Sequence, residues 1–140
     1  MKNDIHDLAL VLESRLRLVA IESWDERRVL ETLTGLAIAR GLGLQLWSVT
    51  EGLRRLAFGG EALDEGESCA PEVALKRVKH DPQPGLYVFC DLHPFLGEPQ
   101  VVRLIKEIAM AEGPSAPTLV LVYHALKLPA EVQRHAARFS

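Results

Sequence analysis

The sequence predicts an α/β fold: three layers, αβα, around a mainly parallel sheet of four to five strands. Three observations carry that expectation. Leu16 to Ile21, Leu44 to Val49, Leu86 to Cys90 and Thr118 to Tyr123 are short apolar runs without polar alternation, the pattern of strands covered on both faces. Stretches with helical spacing of apolar residues lie between them. Pro and Gly stand at the borders of those stretches, where helices start and stop. Strands alternating with helices give parallel pairing with right-handed crossovers.

Taken in order, Ile5, Leu8, Ala9 and Leu12 make an amphipathic start ahead of the first strand. From Asp25 to Arg40, Val29, Leu30, Leu33, Leu36 and Ala37 recur on one helical face, and Gly41 supplies a stop. Pro71 opens a short helix with Val73, Leu75 and Val78 apolar. Pro99 opens another through Val102, Ile105, Ile108 and Ala109, with Gly113 as its stop. Pro129 starts a last one through Val132 and Ala136. Gly59 to Ser68, GGEALDEGES, reads as a surface loop.

The 140 residues have the size of one domain, read as spanning 1–140 without an internal boundary. Apolar residues make up 48% and charged residues 25%, a globular balance. A net charge of −3 argues against a dedicated nucleic-acid binder. The local cations, Lys76, Arg77 and Lys79 or Arg54 and Arg55, have no interleaved aromatic residues to stack bases. Cys69 and Cys90 are far apart and form no CxxC pair, so neither a disulfide framework nor a structural zinc site is expected and a cytoplasmic location is. The first residues, MKNDIHDLAL, are too charged for a signal peptide, and no apolar run approaches the ~20 residues of a membrane span.

The turn after the first strand is where nucleotide-binding α/β folds place glycines, so that backbone N–H groups wrap phosphate. Here it reads Glu22-Ser23-Trp24-Asp25-Glu26, with no Gly and no Lys. Ser23 with Glu26 three residues on fits a capping box that fills the helix N-terminus with its own side chains. Glu22, Asp25 and Glu26 also repel a triphosphate. The third strand ends in Asp91, the place of the acid that holds Mg²⁺ in P-loop ATPases, but Leu92 stands where the water-polarising glutamate would be. Without a phosphate cradle, Asp91 is expected to cap the turn Leu92-His93-Pro94.

Four stretches together carry a family resemblance: RLVAIESWDERRVLETL, LQLWSVTEGLRR, GLYVFCDLHPFLGEPQVVRLIKEIA and TLVLVYHALKLPAEVQRHAARFS. They resemble the amino-terminal domain of a family of AAA-type ATPases of bacteria, cyanobacteria and plastids, in which a P-loop-less, RecA-like domain precedes a complete ATPase module. The most specific pieces are W-S-V-T-x-G at Trp47 to Gly52, D-x-H-x-F-L at Asp91 to Leu96, and L-K-L-P-x-E at Leu126 to Glu131. The resemblance implies a degenerate RecA-like domain whose fourth strand lies between the first and third, with a fifth beginning near Phe139. It implies a vestigial Walker-B-like Asp91 and a sensor-like His124 at the end of the fourth strand. No catalytic residue, cofactor or metal site is expected in this chain, although the parent protein would hydrolyse ATP. The partners implied are proteins, including the downstream ATPase module, and the isolated domain is expected to be monomeric or weakly associated, because hexamer formation belongs to that module.

Other chemistry has less support. Cys90 and Asp91 point to opposite faces of a strand, so Cys90, Asp91 and His93 do not converge as metal ligands. Asp91 and His124 share the carboxyl edge of the sheet, where a hydrogen bond between them is expected. Ser48, Thr50 and Ser115 lack the spacing of a nucleophile elbow. The rival to the non-catalytic reading is a phosphate- or nucleotide-responsive switch, receiver-like or ATPase-like, using Asp91 and His124. A receiver needs an acidic pair after its first strand and a Lys-Pro after its fifth; Glu22 and Asp25 are poorly placed, and Lys127 precedes Leu128.

Overall fold

The computed structural model describes residues 2–14, 16–55, 69–80, 85–113, 116–125 and 127–139; for 2–6 and 12 it describes the backbone alone. Along the chain run α1 (Lys2–Glu13), β1 (Leu18–Glu22), α2 (Glu26–Ala39), β2 (Gly43–Ser48), β3 (Gly52–Arg55), α3 (Pro71–His80), β4 (Gly85–Cys90), α4 (Pro99–Ala109), β5 (Thr118–Tyr123), α5 (Ala130–Gln133) and β6 (Ala136–Phe139). A 3₁₀ turn, His93–Phe95, links β4 to α4. The loop read at Gly59 to Ser68 lies outside the described residues.

The strands form one six-stranded sheet in the order β3-β2-β4-β5-β1-β6. β5 therefore lies between β1 and β4, the RecA-like order, and every pair is parallel except β2 with β3. The architecture is the αβα sandwich that the alternating pattern predicts.

The all-apolar strands are those at the centre. β4 is buried at every position and β5 at all but Tyr123. Alternate residues feed two separate cores, as the pleat requires. Leu18 and Ala20 of β1, Tyr87 and Phe89 of β4, and Leu119 and Leu121 of β5 face one core, with Leu75 and Val78 of α3 and Val101, Leu104, Ile105 and Ile108 of α4. Val19 and Ile21, Leu86, Val88 and Cys90, and Val120 and Val122 face the other, against Leu8 of α1 and Val29, Leu33 and Ala37 of α2. At about 25 cal/mol per Å² of apolar surface buried, these two layers dominate the stability.

Helix ends follow local chemistry. After α2, Gly41 takes φ +67 while its N–H bonds to the Ile38 carbonyl and that of Leu42 to Ala37, a Schellman stop that a Cβ would strain. Gly113 does not end α4 as expected; that helix stops at Ala109, capped by Met110. Gly113 takes φ +106 in the approach to β5. Pro129 does start the last helix, but α5 is a single turn and Ala136 already belongs to β6. The strand expected near Phe139 thus begins at Ala136 and pairs with β1.

The strand that sequence reading did not foresee is β3. Ser48 pairs with Gly52 across the three-residue turn Val49-Thr50-Glu51, and Gly52, at φ +72, supplies the left-handed residue that such a turn uses. Trp47, which opens the W-S-V-T-x-G motif, is wholly buried and stacks on Phe89 at 5.1 Å between ring centroids, with Phe95 edge-on at 6.2 Å. In L-K-L-P-x-E, Leu128 is buried and its carbonyl accepts from Gln133 Nε2 at 3.0 Å, closing α5 onto the core.

Of the basic cluster on α3, Lys79 binds Glu107 of α4 at 2.9 Å, and Arg103 reaches the same carboxylate at 3.1 Å. The Lys79 hydrogen bond is the main reason that the Glu107 carboxyl lies below the usual carboxylate range. Lys79 thus ties α3 to α4, while Arg103 supports the same carboxylate from within α4. Among the described residues, no helix is long and apolar enough to cross a membrane.

Candidate functional site

The carboxyl edge of the sheet is the ligand edge of folds with this topology. Here the exits of β4, β5 and β1 lie side by side and are stitched together one residue past the strands. Asp91 N–H donates to the Val122 carbonyl at 3.1 Å, and Ser23 N–H to the Tyr123 carbonyl at 3.1 Å. Asp91 and Glu22 therefore flank the end of β5, about 10 Å apart at two strand spacings.

That stitching overturns the expected capping box. The Ser23 amide is taken by Tyr123, so it is not open to the Glu26 carboxylate. The N-cap of α2 is Asp25, whose Oδ1 accepts from Arg28 N–H at 3.2 Å, while Ser23 Oγ accepts from Asp25 N–H at 3.1 Å. A carboxylate in this place is well suited to the positive end of the helix. Glu26 reaches instead to the Cys90 thiol. Burial, then the Glu26 charge and hydrogen bond, then Asp91, push that thiol well above its ordinary range. Glu26 and Asp91 thus both stand close to the end of β4.

Asp91 is exposed and holds a left-handed backbone at φ +58, a conformation that Asp tolerates better than most residues. It does not cap the following turn: the 3₁₀ turn His93–Phe95 has Leu92 as its N-cap and no side-chain cap among the described residues. What anchors the turn is packing, since Leu92 and Leu96 are buried in the core beneath it.

Nor do Asp91 and His124 form the expected hydrogen bond. The His124 ring lies under Trp24, stacked at 4.0 Å between centroids and 25° between planes. Tyr123 meets His124 at 4.1 Å, and on its other side His93 stacks at 3.4 Å and 15°. His93 Nδ1 is buried without a hydrogen-bond partner among the described residues, so this ring is positioned by its face. The result is a continuous row, Trp24–His124–Tyr123–His93, laid across the strand ends.

Trp24 crowns that row at 84% exposure, against 0% for Trp47. An indole held in place yet open to water is unusual in a monomeric surface and typical of an interface anchor. It occupies the β1–α2 turn, where a phosphate loop would otherwise approach. Sequence reading named Asp91 and His124 but missed Trp24. The available signal was a lone Trp in a charged turn, off the apolar face of α2.

Among the described residues, no group of three or more His, Cys, Asp or Glu side chains converges to hold a metal ion. Cys90 faces the α2 core whereas Asp91 is exposed at the edge, so these two do not share a site.

A family profile describing the N-terminal domain of SpoVK-like AAA ATPases matches residues 4–140. The chain belongs to that family. The match runs through every element of the sheet and through the whole carboxyl edge. No curated protein and no solved structure gave a significant match. Within this SpoVK-like N-terminal domain the D-x-H-x-F-L motif has a clear structural content: His93 stacks on Tyr123, Phe95 meets Trp47 edge-on, Leu96 is buried, and Asp91 turns the backbone.

Proposed function

We propose that this domain is a non-catalytic amino-terminal part of an AAA ATPase, acting in assembly, regulation or recognition of partners and substrates, without a nucleotide site of its own. The observation that carries the reading is the β1–α2 turn. Asp25 caps the helix start, and Trp24 lies over His124 where phosphate would have to enter. The turn offers no glycine backbone to wrap an anion, and the neighbouring Glu22, Asp25, Glu26 and Asp91 oppose one. In this account ATP hydrolysis belongs to a following module of the parent protein, and the domain works in the cytoplasm on protein partners rather than nucleic acid.

The rival, a phosphate-responsive switch through Asp91 and His124, has less support because the His124 ring is engaged by Trp24 and Tyr123. The discriminating test is calorimetry of the domain with Mg·ATP, Mg·ADP and acetyl phosphate. No heat and no thermal stabilisation are expected; micromolar binding abolished by Asp91→Ala would overturn the reading.

A further inference from the structure

We propose that the carboxyl edge binds an arginine side chain of a protein partner, with the guanidinium laid on the open face of Trp24. The inference rests on the non-nucleotide reading above and names the chemistry of the partner.

Two independent features point to a cation. One is the indole. Its inner face is fixed on His124 at 4.0 Å, so the ring is held in position, and 84% exposure leaves its outer face to solvent. A pre-positioned Trp face is the best aromatic surface for a cation, and a planar guanidinium adds stacking that an ammonium lacks.

The other is the charge around it. Asp25 follows Trp24 directly and keeps one carboxylate oxygen beyond the Oδ1 used in capping. Asp91 stands at the exit of β4, beside the end of β5 that carries His124, since its N–H donates to the Val122 carbonyl at 3.1 Å. Of the nearby cations, Arg138 pairs with Glu22 at 3.6 Å and Arg27 shares a recess with Glu26, Leu30, Glu31 and Thr34 on the flank of α2, which leaves Asp25 and Asp91 as the carboxylates beside the row. A nucleic acid would also stack on Trp24, but its phosphates would meet Asp25, Glu26 and Asp91, which favours a protein segment.

The test uses the full 140-residue chain and its two indole N–H resonances, Trp24 and Trp47, with Trp47 in the core as an internal reference. The probes are peptides of alternating Gly and Arg, Gly and Lys, and Gly and Glu, together with poly-U RNA. A saturable shift of the Trp24 resonance by the Arg peptide is expected, with the Lys peptide weaker and the Glu peptide silent. Trp24→Ala, read through the backbone amide shifts of residues 22–28 and 123–125 because its own indole signal is lost, should weaken the Arg peptide about tenfold. Asp91→Asn should weaken it several-fold while leaving the Trp24–His124 stack in place. Equal binding of Arg and Lys peptides that Trp24→Ala does not change would overturn the proposal, as would no binding or a preference for poly-U. Of those results only a preference for poly-U reaches the reading above, against its choice of protein over nucleic-acid partners; the absence of a nucleotide site fails only if Mg·ATP, Mg·ADP or acetyl phosphate binds at this edge.

Discussion

Replacing each tryptophan by alanine tests the division between a structural ring and a surface one. Trp24 is 84% exposed, so of roughly 250 Å² on a Trp about 40 Å² is covered. At 25 cal/mol per Å² that burial is worth about 1 kcal/mol, and the stack on His124 adds about 0.5 kcal/mol. The cap of α2 is supplied by Asp25 and survives the change. Trp24→Ala is therefore expected to cost about 1–1.5 kcal/mol, or ~3–5 °C in Tm for a domain of this size. Trp47 is fully buried between Phe89 and Phe95, and Trp47→Ala leaves a large cavity at a cost of about 3–5 kcal/mol. Urea unfolding followed by far-UV circular dichroism measures both. Equal losses would refute the reasoning, because Trp24 would then be a structural residue and its exposure no sign of an interface.

Other outcomes follow from the same geometry. Asp25→Ala should cost about 1 kcal/mol in urea unfolding and Ser23→Ala about 0.5 kcal/mol or less; the reverse order would restore the capping box. Asp91→Gly relieves a left-handed backbone and should be neutral or stabilising by up to ~1 kcal/mol, whereas Asp91→Ala should not stabilise. The raised Cys90 pKa means that the unfolded chain loses its thiol proton first as pH rises. Its stabilising contribution is complete below the unfolded value near ~8.5 and is lost above it, so Cys90→Ala should flatten the fall in Tm between about pH 8 and 10. The buried Cys90 thiol should also react with an alkylating reagent more slowly than Cys69 in the native protein.

The sheet was legible because its central strands are buried on both faces, which leaves an uninterrupted apolar signature at Leu86 to Cys90 and Thr118 to Tyr123. β3 left no such trace. Gly52-Leu53-Arg54-Arg55 is short, opens with glycine and lies at the sheet edge, where one partner strand and half-exposed side chains suffice. The helix cap was misassigned for a different reason. Ser23 and Asp25 are both good N-caps, and the choice between them is made by the Tyr123 carbonyl, a hundred residues away in sequence. Local spacing contains no record of that bond. The carboxyl edge shows the same limit: Asp91 and His124 are recognisable as strand-end polar residues, but the engagement of the His124 ring by Trp24 depends on separate strand exits meeting. Such convergence is a property of the topology, and only the motif letters His93, Phe95 and Leu96 hinted that the turn after β4 is packed rather than open.

The central claim is that the strand edge used for nucleotides in related folds is closed to them here. Amide chemical-shift mapping of the ¹⁵N-labelled chain with Mg·ATP tests it directly. The account predicts no saturable shifts at residues 22–28, 91–95 and 123–125. Saturable shifts confined to those three segments, reversed by Asp91→Ala, would contradict it.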